Sequence, residues 1–144
     1  MEQPKGAGKR VLIVDDSRFV RTTFNRILSA AFAVHEEADG EAGWQALQAD
    51  TSIGMLFTDL DMPKLDGFGL IARVRASGDA RLAKLPVVVI SGNEDPKSIR
   101  LALNTGARGY IPKTSTSFVM VKALEAVAAG GTYVPPQAAE EGNG

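Results

Sequence analysis

The sequence predicts an α/β domain of the doubly wound kind, a five-stranded parallel sheet with helices on both faces. Five short apolar runs alternate with longer segments whose apolar residues recur at helical spacing. The runs are continuous instead of alternating with polar residues, as strands buried on both faces require. Right-handed crossovers then place helices on either side, giving a three-layer (βα)5 sandwich.

The first run, 11–14, ends at Asp15-Asp16, and Phe19, Val20, Phe24, Ile27, Leu28 and Ala31 form the stripe of the first helix. Residues 32–35 are a weak second strand, after which Asp39-Gly40 opens a helix carrying Trp44 and Leu47. The third run, 53–58, ends at Asp59, and Phe68, Leu70, Ile71 and Val74 stripe the third helix. The fourth strand, 85–90, ends at Ser91, and Asp95-Pro96 is a strong helix start, Asp capping and Pro at the first position. This fourth helix runs to Gly106; Leu101 falls off its core stripe, and an isolated exposed leucine is ordinary. The fifth strand, 108–112, ends at Lys113; Thr114 or Ser115 can cap a last helix striped by Phe118, Val121, Leu124 and Ala128.

With 144 residues and 44% apolar content, the chain suits one globular domain over 9–131. Residues 1–8 read as a disordered or tag-like start, and 132–144, with Pro135-Pro136, as a tail or linker. A net charge of −1 argues against direct nucleic-acid binding by this chain. The absence of cysteine excludes disulfides and thiolate chemistry, and no signal-peptide or membrane-spanning run is visible. A cytoplasmic location without membrane attachment is the expectation.

Sites in open parallel sheets form outside the carboxyl ends of the strands. With strand order 2-1-3-4-5, Asp15 and Asp16, Asp59, Ser91 and Lys113 converge on one crevice. Clustered carboxylates repel, so a proton or a cation must relieve them. A hard divalent cation such as magnesium suits carboxylate and phosphate oxygens, and would leave Asp59 a usable nucleophile beside the Lys113 ammonium and the Ser91 hydroxyl. Taken singly, each of these residues could be a cap, a turn residue or a solvated charge; their joint placement at four strand ends favours a site. His35, the single histidine, sits on the second strand away from the crevice, and Trp44 reads as core.

The segments VLIVDDS, LFTDLDMPKLDGFGL, VVVISG and GARGYIPK make the chain resemble receiver domains of two-component response regulators over nearly its whole length. The resemblance implies a flavodoxin-like fold with Asp59 as phosphoacceptor. It implies Mg2+ (or Mn2+) held by Asp15, Asp16, Asp59 and the backbone carbonyl of Asp61. Ser91 and Lys113 would bind the phosphoryl group, and Tyr110 would be an aromatic switch that turns inward on activation. Pro63, Asp66 and Gly67 would shape the pocket rim, while Asp61 and Asn93 would tune dephosphorylation. A histidine kinase or histidine phosphotransfer protein would donate the phosphoryl group. An output domain or target would read the face of the fourth helix, fifth strand and fifth helix, with homodimerisation on phosphorylation a further expectation. The chain would be a signalling phosphoacceptor, not a multiple-turnover enzyme.

Two departures stand out. Thr114 follows Lys113 where the family often has a cis proline, and Pro112 precedes it. The ending is similar to receivers that precede a helix-turn-helix domain of the LuxR or NarL type, yet no such domain follows in the sequence, so a stand-alone receiver or one separated from its output is expected. Two rivals remain. Asp59-Leu60-Asp61 mimics the nucleophile motif of haloacid-dehalogenase-type phosphatases, although it lies on the third strand and leaves Asp15-Asp16 unexplained. An interaction module that kept the fold without phosphorylation is the other.

Overall fold

The computed structural model describes residues 10–93 and 95–134. In chain order these form β1 (Arg10–Val14), α1 (Arg18–Leu28), β2 (Ala33–Glu37), α2 (Gly40–Ala49), β3 (Ile53–Thr58), α3 (Gly67–Arg75), α4 (Ala80–Ala83), β4 (Val87–Ser91), α5 (Pro96–Thr105), β5 (Gly109–Pro112) and α6 (Ser117–Ala128). The five strands are parallel and ordered β2-β1-β3-β4-β5, as the apolar runs predict. The short turn α4 is additional: Asp79 caps it and Leu82 is buried, but four residues are too few to show a helical period. The fourth and fifth helices of the sequence reading are therefore α5 and α6.

Side chains on successive strand residues point to opposite faces, so β1, β3, β4 and β5 feed two cores, while β2 adds Val34 to one of them. On one face Leu12, Val14, Leu56, Val87 and Val89 pack with Leu47, Leu70, Ile71 and Ile99. On the other Val11, Ile13, Phe57, Val88 and Ile90 pack with Phe24, Leu28, Met120 and Leu124. Phe24 and Phe57 meet edge to face at a centroid distance of 6.3 Å.

Several boundaries move. β2 starts at Ala33 and reaches Glu37. β4 starts at Val87, because Pro86 has no N–H to give the ladder, although Leu85 before it is buried. The cap of α6 is Thr116, not Thr114 or Ser115; the Ser115 hydroxyl instead donates to the Pro112 carbonyl at 2.6 Å. Asp39 and Asp95 cap α2 and α5 as expected. Two stripe assignments fail at the helix starts: Phe19 is 79% exposed and Phe118 68% exposed, with Val121 also outside. Phe19 lies five positions before the buried Phe24, about 140° around the helix axis, so both cannot face the sheet. Trp44 is half-buried against the core, with the Arg73 guanidinium 5.7 Å from its ring centroid.

Glycine at position 67 lets α3 start close against the end of β3. A Cβ there would lie 2.1 Å from the Asp59 carbonyl oxygen. The Gly67 N–H already donates to the Leu60 carbonyl at 2.9 Å, so the backbone has little room to withdraw. Gly67→Ala is expected to destabilise the chain by about 1–3 kcal/mol, the usual cost of overpacking. Urea unfolding checks this, and an unchanged midpoint contradicts it.

Candidate functional site

The sheet delivers the site residues through its own hydrogen bonds. Beyond β1, the Asp15 N–H donates to the Glu37 carbonyl at 3.1 Å. The Asp59 N–H donates to the Val14 carbonyl at 2.9 Å, carrying the β1–β3 pairing one residue past β3. The Lys113 N–H donates to the Ser91 carbonyl at 2.9 Å and does the same between β4 and β5. Side chains then reinforce the backbone. The Arg21 guanidinium donates to the Asp15 carbonyl at 2.7 Å, and the Thr58 hydroxyl donates to the Asp59 carbonyl at 2.8 Å. Neither contact was foreseen from the sequence, since Arg21 lies on a helix flank and Thr58 inside an apolar run.

The carboxylates meet as the strand order requires. One oxygen from each of Asp15, Asp16 and Asp59 lies within 4.8 Å of the others. Asp15 and Asp59 are buried, whereas Asp16 is exposed at the rim. The Lys113 ammonium lies 3.0 Å from Asp59 Oδ2 and 3.2 Å from Asp15 Oδ2. Asp59 Oδ1 accepts the Leu60 N–H at 2.8 Å, and Asp15 Oδ1 accepts the Ser17 N–H at 2.8 Å. The same Lys113 ammonium donates to Asp15 Oδ1 at 3.4 Å, and its ion pair is the contact that Asp15 Oδ2 makes among the described residues. Buried carboxylate oxygens that lean on one shared ammonium are suited to a further cation. The donor set, all carboxylate oxygen, fits a hard divalent ion.

Asp59 is less open than the sequence suggests. Its side chain is 4% exposed, and Lys113, at 24%, lies against its outer oxygen.

Electrostatics follow from this crowding. Burial, and then the Asp59 charge, raise the Asp15 carboxyl above its ordinary range despite the Ser17 N–H and Lys113. Burial opposes the charge on Lys113, but the hydrogen bond to Asp59 and the charges of both aspartates override it and raise its pKa. The ammonium is thus held in its charged form beside the two carboxylates.

Ser91 is buried, and its hydroxyl oxygen accepts the Asn93 N–H at 3.0 Å. Asn93 itself is exposed: its amide donates to the Ser98 hydroxyl at 3.2 Å and accepts the Asp95 N–H at 2.7 Å, at the start of α5. Asp61 is exposed on the rim. Tyr110, expected to turn inward on activation, is already fully buried here, its phenol donating to the Asn93 carbonyl. That carbonyl supplies the partner a buried phenol needs. Burial raises the Tyr110 pKa, which keeps the hydroxyl a donor. The turn after Lys113 is closed by the Ser115 N–H on the Pro112 carbonyl at 3.0 Å, and no cis peptide occurs among the described residues. His35 pairs with Glu37 at 2.6 Å on β2, at the far edge of the sheet from β5.

Because the folded state raises the Asp15 pKa, its ionised form is worth less in the fold than in the unfolded chain. The sign is destabilising above the ordinary carboxyl pKa of 3.8. Asp15→Asn is therefore expected to raise the urea midpoint of the metal-free chain at neutral pH. A lower midpoint contradicts this reading of the charge balance.

A family profile described as Response regulator receiver domain matches residues 11–125. The chain is 38% identical over 104 residues to the two-component response regulator ORR3 of Oryza sativa, covering 72% of this chain and 78% of that protein. It is 32% identical over 120 residues to the chemotaxis protein CheY1 of Helicobacter pylori, covering 82% and 95%. Against the gliding motility regulatory protein of Myxococcus xanthus, 35% identical over 113 residues, the match spans only 14% of the relative. Among solved structures, a LuxR-family two-component response regulator from Aurantimonas superposes with TM-score 0.81 at 25% identity, covering 92% of this chain and 93% of that one. The isolated REC domain of RcsB from Salmonella enterica, with a beryllofluoride phosphomimetic, superposes with TM-score 0.77 at 25% identity, covering 92% and 96%. The fold, the acidic cluster at the strand ends and these matches agree: the chain belongs to the response regulator receiver family.

Proposed function

We propose that the chain accepts a phosphoryl group on Asp59 and converts that event into a change at a partner-binding surface. The observation that carries this reading is the pairing of Asp59 Oδ2 with the Lys113 ammonium at 3.0 Å, beside the buried Asp15 carboxylate that the same ammonium meets at 3.2 Å. A carboxylate oxygen of Asp59 attacks the phosphorus of a phosphohistidine on a kinase or phosphotransfer protein. The P–O bond forms as the P–N bond breaks, and the imidazole nitrogen recovers a proton from solvent. Lys113 leaves its contact with the free carboxylate and follows the negative charge onto the phosphoryl oxygens. Hydrolysis of the acyl phosphate restores the carboxylate, with Asp61 and Asn93 at the rim as the residues that tune its rate.

Asp15, Asp16 and Asp59, with the Asp61 carbonyl, would hold Mg2+ or Mn2+. When bound, the ion supplies positive charge that offsets carboxylate repulsion and the charge of the incoming phosphoryl group. Ser91 donates its hydroxyl hydrogen to a phosphoryl oxygen, while its oxygen can still accept the Asn93 N–H. The readout surface is the α5–β5–α6 face, on which Leu101 is 53% exposed. The LuxR-family likeness supports a DNA-binding output partner outside this sequence. Among the described residues no helix is long and apolar enough to cross a membrane, and a cytoplasmic setting is part of the proposal.

Acetyl phosphate with Mg2+ is expected to add one phosphoryl group to the intact mass of the wild-type chain. Asp59→Asn should abolish that gain and Lys113→Met should reduce it. No gain on the wild type would favour an inert interaction module. Sustained turnover of a generic phosphate ester would favour a phosphatase. Removing the divalent ion with a chelator should slow labelling of the wild type at least about tenfold, the scale of losing one charge-stabilising group; labelling at an unchanged rate contradicts a metal-assisted site.

A further inference from the structure

The chain does not leave the domain at the end of α6. Gly130, at φ 93, turns it back, with the Gly131 N–H on the Ala126 carbonyl at 2.9 Å and the Gly130 N–H on the Val127 carbonyl at 3.0 Å. These two hydrogen bonds close the helix and redirect the following residues. Residues 132–134 then lie along the outer edge of β5, with Tyr133 bridged in parallel to Gly109. The Tyr133 N–H donates to the Arg108 carbonyl at 2.9 Å, and the Tyr110 N–H donates to the Tyr133 carbonyl at 2.9 Å. The side chains alternate as in a true strand. Tyr133 packs on the core shared with α6, and Val134 on the opposite core that contains Tyr110.

Tyr110 is therefore held at two ends. Its phenol is bound to the Asn93 carbonyl in the loop that follows Ser91, and its backbone N–H is bound to Tyr133. We propose that residues 132–134 form a strap on the β5 edge that is coupled to the position of the Tyr110 ring, so that a docked strap favours the ring inside and a released strap frees both the ring and the β5 edge. In the part that links Tyr110 to phosphorylation, this rests on the phosphoacceptor reading above. The coupling is reciprocal by linkage: whatever draws Ser91 and the ring towards Asp59 also tightens the strap. A released strap exposes the Arg108 carbonyl and Tyr110 N–H, an edge that another strand could pair with.

The test uses the full chain and two substitutions, Tyr133→Pro, which removes the donating N–H, and Val134→Asp, which opposes docking on the core. Circular dichroism controls for folding, and NMR reads the Tyr110 ring without any phosphoryl mimic. Both variants are expected to shift the ring from one buried environment to an averaged, more exposed one. They should also weaken binding of beryllofluoride with Mg2+ by at least about fivefold, the lower end of common coupling between sites. A Tyr110 ring unchanged in both folded variants overturns the strap. Failure of the wild type to bind beryllofluoride would instead overturn the phosphoacceptor reading, and the ring comparison would still decide the strap.

Discussion

The structure depends on two buried carboxylates held together against their own repulsion. Asp15 and Asp59 end adjacent parallel strands, and the backbone bond from Asp59 to Val14 leaves them no freedom to separate. Lys113 compensates from two strands away, across β4. The compensation is incomplete: burial and the Asp59 charge still hold the Asp15 pKa above its ordinary range. A site in this condition gains from any added positive charge.

The surrounding loops fit that demand. Gly67 lets α3 begin against the Asp59 carbonyl, which keeps the β3–α3 loop tight beside Asp59. Arg21 pins the Asp15 carbonyl and also meets Glu36 at 3.2 Å, tying the acidic side of the site to β2. On the opposite side, Ser91, Asn93 and Tyr110 form one hydrogen-bonded path from the crevice to the β5 edge.

Strand order, the acidic convergence and the lysine were legible because continuous apolar runs ending in polar residues leave few topologies. Asp39 and Asp95 were legible as caps because each precedes a helical stripe. What was hidden depends on rotation and on competition between groups. Phe19 and Phe118 belong by composition to apolar stripes, yet the helix phase set by Phe24 and Leu124 turns them to solvent. Ser115 is a good cap by type, but its hydroxyl is claimed by Pro112. The pairing of Tyr133 with β5 joins residues separated by the whole of α6, and no local pattern announces it.

Paramagnetic broadening by Mn2+ tests the central arrangement most directly. Substoichiometric Mn2+ should selectively broaden the backbone resonances of Asp15, Asp16 and Asp59 and their immediate neighbours, and Asp15→Asn should weaken the effect. Broadening spread evenly over the surface acidic residues, or centred elsewhere, would contradict a shared carboxylate site whose unbalanced charge invites a cation.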